Sequence, residues 1–169
     1  MLILEDGTKV TDANTLITSA MVDAHATLIG NTAWAAGSDT AKEQAIYGAM
    51  AWFTTLEPRM KGCRSWTDQE LAWPRTGVCA YGREIDYNVI PKELKQALME
   101  AALLEFSSPD ALLPAQVTGS VSREKKWLDG VGGKETEYAT PAGFGAVTRP
   151  KVMRLIAPFL NSQGYLTAF

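Results

Sequence analysis

Residues 91–106 read PKELKQALMEAALLEF, and the fold turns on how this stretch is interpreted. Leu94, Ala97, Leu98, Ala101 and Leu104 recur at steps of three and four, which lines them up on one stripe of an α-helix. Pro91 suits the first helical position, where an N–H has no partner to lose. Ser107-Ser108-Pro109 supplies the stop. A helix with a single apolar stripe must bury it against other elements, so a helical bundle is expected.

Upstream, Thr40-Ala41-Lys42-Glu43 reads as a capping box. Ile46, Ala49, Met50 and Phe53 follow at helical spacing, and that helix should end near Leu56, ahead of Pro58. An earlier helix is expected from Ser19, as N-cap, to Ile29, stopped by Gly30-Asn31. Residues 1–17 look irregular, with turn chemistry at Glu5-Asp6-Gly7-Thr8 and Asp12-Ala13-Asn14. Residues 31–38 read as a loop around Trp34. Residues 58–66 form a basic turn with Arg59, Lys61 and Arg64. Thr67-Asp68-Gln69-Glu70 resembles a second capping box, opening a short helix that Pro74 stops. Residues 75–90 read as a long ordered loop.

Downstream of Leu113-Pro114 the pattern changes. Ser120–Leu128 alternates like a strand, Gly130-Val131-Gly132-Gly133 is a turn, and Lys134–Ala139 can return as a second strand. Lys125 and Lys126 can then face Glu135 and Glu137, depending on register. Such a hairpin has little to bury and is marginal alone, so it should protrude and be ordered by a partner or by the body. Residues 140–149 are a Gly/Pro/Thr segment. A last helix begins near Pro150 with Val152, Leu155, Ile156, Phe159 and Leu160 on one face, kinked or shortened by Pro158. The expected fold is mainly α: a compact bundle of four to five helices with a protruding β-hairpin and an extended C-terminal tail. Its parts are a helical core (1–113), the hairpin with its linker (114–149), and the closing helix and tail (150–169).

Composition narrows the function. The 169 residues carry 46% hydrophobic and 21% charged side chains and a net charge of −3, all within the range of ordinary globular proteins. One histidine and two cysteines cannot supply a histidine-rich zinc site, a two-histidine iron site or a four-cysteine zinc module. Residues 1–57 hold two basic and seven acidic residues, and the remainder 14 and 12, so neither part is the basic domain of a dedicated nucleic-acid binder. No apolar run of about 18 residues suggests a membrane span. The start, Met-Leu-Ile-Leu, turns acidic at once, unlike a signal peptide. Cys63 and Cys79 form no CxxC pair and read as two reduced thiols.

Motifs for chemistry fail one by one. His25 has Asp23 and Ser19 nearby, but residues two apart on a helix face different directions. Nothing flanking supports pairing it with Cys63 or Cys79. Gly133-Lys134 is followed by Glu135, and Leu128 stands where a phosphate loop needs its first glycine. Gly143-Phe144-Gly145 lacks the third glycine of a dinucleotide fingerprint. Glu43, Glu57, Glu93, Glu100 and Glu105 read as solvated helix-face carboxylates. No catalytic, cofactor or metal residue is assigned. Aromatics interleaved with basic residues at Trp66, Trp73-Pro74-Arg75, Tyr81-Gly82-Arg83 and Lys125-Lys126-Trp127 would suit single-stranded nucleic acid. Without net positive charge, Trp73 reads rather as a packing anchor with Arg75 stacked or capping beside it.

Several segments together carry a resemblance. Leu71-Ala72-Trp73-Pro74-Arg75-Thr76-Gly77 resembles the signature of a family of small tailed-bacteriophage proteins, often labelled DnaT-like single-stranded-DNA-binding proteins. Glu5-Asp6-Gly7-Thr8, Gly30-Asn31 with Trp34, Ile90-Pro91 with Leu94-Lys95 and Ala97, Arg123-Glu124-Lys125 with Glu137-Tyr138, and Pro150 to Leu160 agree in order and spacing. His25, where an aromatic is more usual, and the longer extension after Leu160 depart from it. The resemblance implies a non-enzymatic head–tail connector (adaptor or head-completion protein) of the virion, assembled in the host cytoplasm. It implies a ring, commonly of twelve copies, below the portal protein. That ring would touch neighbouring copies and a tail or next connector protein, and pass packaged DNA without sequence-specific binding or any membrane partner. On this reading assembly contacts are expected at Arg123, Lys125, Lys126, Trp127 and Tyr138 of the hairpin and Tyr165, Leu166 and Phe169 of the tail, while Trp73, Pro74 and Arg75 hold the fold. The alternative is a single-stranded-DNA-binding module associated with phage replication.

Overall fold

The computed structural model describes residues 1–112, 121–126, 134–138 and 150–161. The chain divides into two compact units, Met1–Leu112 with Arg149–Phe169, and Leu113–Thr148. The first, the body, is built on helices α1 (Ser19–Leu28), α2 (Thr32–Ala35), α3 (Asp39–Thr55), α4 (Lys92–Ser107) and α5 (Pro150–Ile156). Between α3 and α4 lie a 3-10 turn (Glu57–Arg59) and two antiparallel pairs. One joins β1 (Cys63–Arg64) to β2 (Arg75–Thr76), and the other joins β3 (Val78–Ala80) to β4 (Arg83–Ile85). The mainly α architecture read from the sequence is the one observed. Among the described residues no helix is long and apolar enough to cross a membrane.

α4 is the central helix, packing against α1, α2, α3 and α5. Leu94, Ala97, Leu98 and Ala101 are completely buried. Leu104, placed on the same stripe by spacing, is 40% exposed, while Ala102 and Leu103 are buried. A helix touched on several sides buries more than one stripe, and a single-face reading cannot say which neighbours widen it. Full burial of one such leucine contributes about 1.5–3 kcal/mol. Pro91 proves to be the N-cap residue, one position before the helix proper.

Other boundaries move for local reasons. Thr18, not Ser19, caps α1, its hydroxyl accepting from the Met21 N–H at 3.2 Å. Ser38, not Thr40, caps α3, accepting from the Ala41 N–H at 3.3 Å, so Thr40 falls inside the first turn. The expected loop around Trp34 contains one helical turn, α2, capped by the Asn31 side chain. The short helix expected after Thr67 is absent. The Gln69 carboxamide instead bonds the Trp66 N–H and the carbonyls of Leu71 and Pro74, which organises an irregular loop. Residues 75–90 are not simply a loop: Tyr81 and Gly82, both at positive φ, close the β3–β4 hairpin.

α5 stops at Ile156 and tightens into a 3-10 turn (Ala157–Phe159) at Pro158. Val152, Ile156, Phe159 and Leu160 are buried. Leu160 forms an antiparallel bridge with Met60, which holds the chain after α5 to the segment after α3. In the second unit β5 (Val121–Lys126) pairs antiparallel with β6 (Lys134–Tyr138). The register sets Lys125 opposite Glu135 and Arg123 opposite Glu137, but Lys126 opposite Lys134.

Candidate functional site

The segment from Glu57 to Pro91 holds the signature residues Trp73, Pro74 and Arg75. Trp73 is completely buried, its indole N–H donates to the Val89 carbonyl at 2.9 Å, and its ring meets Phe159 edge-on at 5.7 Å. The Trp73–Pro74 peptide bond is cis. Arg75 is 5% exposed and spreads its fork over three carbonyls: Lys61 at 2.8 Å, Gly62 at 2.7 Å and Ala72 at 3.1 Å. Its Nη1 also lies 3.6 Å from Glu57. A Cβ at Gly62, which sits at φ +67°, would strike the Thr76 carbonyl, so this close approach requires glycine. Burial pulls the Arg75 pKa below its ordinary value. A guanidinium stays charged regardless, so the carbonyl cage is what compensates the buried cation.

Arg64 grips Glu57 bidentately at 2.6 and 2.7 Å and donates to the Gln69 carbonyl. The Arg64 bonds hold the Glu57 carboxyl below its ordinary value near 4.5, and Glu57 in turn raises Arg64. At the other end of the body, Asp23 accepts from Lys42 Nζ at 3.0 Å and from the Trp34 indole at 2.7 Å. Lys42 first, then Trp34, lowers the Asp23 carboxyl from about 3.8. Both groups are more acidic folded than unfolded. Their stabilisation is complete above the ordinary carboxylate values and fades as pH falls through the lowered folded ones. Denaturant titrations should therefore show stability level above about pH 5.5 and declining below about pH 4.5. The difference between wild type and Glu57→Gln should shrink over the same acid range. A difference independent of pH would show that Glu57 is not held as a paired carboxylate.

A third cluster joins three helices. Glu100 of α4, read from sequence as a solvated carboxylate, is 7% exposed. Its Oε1 lies 2.7 Å from His25 Nε2 of α1 and 2.6 Å from Lys151 Nζ of α5. Asp23 and His25 thus serve different partners. Glu5 is also buried, accepting from the N–H groups of Gly7, Lys9 and Val10 and so shaping the first turn. Local sequence pattern hides both carboxylates, because the partners of Glu100 come from distant helices and those of Glu5 from the backbone.

A cleft of about 520 Å³ opens between the β3–β4 hairpin, the start of α4 and the turn after α5. Ala80, Tyr81, Ile85, Val89, Pro91 and Phe159 line it, with Arg83 and Glu93. The sequence carried one hint of it, the Tyr81-Gly82 turn flanked by two short β-capable runs. Cys63 and Cys79 are free and exposed, on separate strands. Among the described residues no group of three or more histidine, cysteine or acidic side chains is placed to hold a metal ion.

The structure brings Trp73 and Arg75 together beside Pro74, inside the body. Arg123, Lys125, Lys126 and Tyr138 lie on the paired strands β5 and β6. Trp127, Tyr165, Leu166 and Phe169 lie outside the described residues. Comparisons with curated proteins and with solved structures return no match. A family model described as "Putative DnaT-like ssDNA binding protein" matches residues 1–169, so the whole chain, signature loop included, belongs to that family.

Proposed function

We propose that this chain is a non-enzymatic head–tail connector of a tailed-phage virion, forming a ring against the portal protein and offering a platform to the tail or the next connector. The observation that carries the reading is the burial of Trp73 and Arg75 in a body of net negative charge. Of the aromatic–basic groups that would suit base stacking, this one is enclosed and bonded to backbone carbonyls. The body holds 12 basic and 15 acidic residues, and the unit 113–148 four of each. Such a balance suits contacts between proteins and a channel through which DNA slides, since stable phosphate binding requires clustered cations.

The second reading, a single-stranded-DNA-binding module, is favoured by the family description. The surface it would use includes half-buried Trp66 edge-on to exposed Tyr87 at 6.0 Å, and exposed Tyr81 two residues from Arg83. Fluorescence anisotropy with labelled oligo(dT) at about 50 and 200 mM salt separates the two. The connector reading expects no binding at micromolar protein even at low salt, and cross-links to portal in assembled particles. Tight binding that weakens about a thousandfold between the two salts would establish the DNA-binding reading in its place.

A further inference from the structure

The cleft beside the β3–β4 hairpin is largely apolar and accessible: Tyr81 is 70% exposed and Val89 43%. Its volume falls in the range of sites that enclose a small ligand or a few side chains. Three observations bear on what covers it. The first is the direction of the chain after Phe159. The Lys61 N–H donates to the Phe159 carbonyl at 2.9 Å, and the Asn161 N–H donates to the Arg59 carbonyl at 2.7 Å. The Asn161 side chain adds a bond to the Met60 carbonyl. Residues 159–161 therefore run antiparallel to 59–61. They pass from Lys61, whose ammonium reaches the Cys79 carbonyl of β3, toward Arg59 and away from the hairpin.

The second observation is the composition of the C-terminal segment. Residues 162–169 read SQGYLTAF, with three large apolar or aromatic side chains and no ionisable side chain other than the Tyr165 phenol. Eight residues can span about 26–29 Å, roughly the width of a small domain. The third is charge. The cleft has one arginine and one glutamate, which balance, so it suits a segment without charged side chains better than a run of phosphates.

We infer that the cleft receives residues 163–169 of a second copy of this chain, with Tyr165 and Phe169 as anchors. This deepens the connector reading and rests on it. A tail from one copy in the cleft of the next is a heterologous contact, the kind from which closed rings are generated.

The test uses the full chain with a photo-reactive phenylalanine analogue at position 169. It is mixed with excess ¹⁵N-labelled unsubstituted chain, irradiated, and mapped by mass spectrometry. The expected adducts join light residue 169 to heavy peptides spanning 80–93. Tyr81→Ser with Val89→Ser in the heavy chain should reduce them about tenfold or more while leaving the unfolding midpoint unchanged. Four results would overturn the proposal: adducts that stay light–light, adducts elsewhere on the heavy chain, no adducts, or adducts lost to added oligo(dT) that itself cross-links to 80–93. Portal cross-links in particles are scored separately. Their absence alongside mixed adducts removes the connector reading, and the reverse removes only the tail exchange.

Discussion

Trp73→Ala is expected to cost about 3–5 kcal/mol of folding stability, a large part of the 5–15 kcal/mol typical of a domain. The ring is completely buried and packs edge-on against Phe159, so truncation removes transfer free energy and leaves a cavity. It also removes the donor to the Val89 carbonyl. In a chain of this size the melting temperature should fall by about 10 °C or more. Trp73→Phe should fall between, keeping most of the ring contact and losing about 1 kcal/mol through the missing indole N–H. Chemical denaturation with both variants measures the series. A loss below about 1 kcal/mol for alanine would show that Trp73 does not anchor the core.

Arg75 separates charge from geometry. Arg75→Met should cost about 3–5 kcal/mol, because it leaves the carbonyls of Lys61, Gly62 and Ala72 without their donor and takes a cation from beside Glu57. Arg75→Lys keeps the charge but not the planar fork. One ammonium cannot reach three carbonyls that the guanidinium serves from three separate nitrogens, so a loss of about 1–3 kcal/mol is expected. Hydrogen exchange should place both losses in residues 57–91 before the helices loosen. If lysine fully replaces arginine, the charge alone is what the loop requires.

The periodic parts of this protein were legible from its residues. The spacing of Leu94, Ala97, Leu98 and Ala101 announced α4, and Ile46, Ala49, Met50 and Phe53 announced α3, because helix periodicity is a local property. The break of the last helix near Pro158 followed from the ring's fixed φ and missing N–H. Family membership was legible too, carried by the stretch around Trp73-Pro74-Arg75 and by the order of the flanking segments. Capping was less so: Thr18 and Ser38 stand within two residues of rivals with the same chemistry, and backbone dihedrals choose among them. The candidate box at Thr67 failed because Gln69 found better partners in Trp66, Leu71 and Pro74.

What the sequence by itself determined is therefore the helical class, the main helices and the family. Only the tertiary structure decided which charges are internal and where a cleft opens. Glu100 reads like any other helix glutamate until α1 brings His25 and α5 brings Lys151 to the same oxygen. Leu104 stays exposed while Leu103 is buried, because α4 has neighbours on several sides. The cleft exists because Phe159 arrives beside a hairpin that precedes it by some 75 residues. Such pairings depend on contacts between distant segments, and a local pattern of residue types carries no record of them.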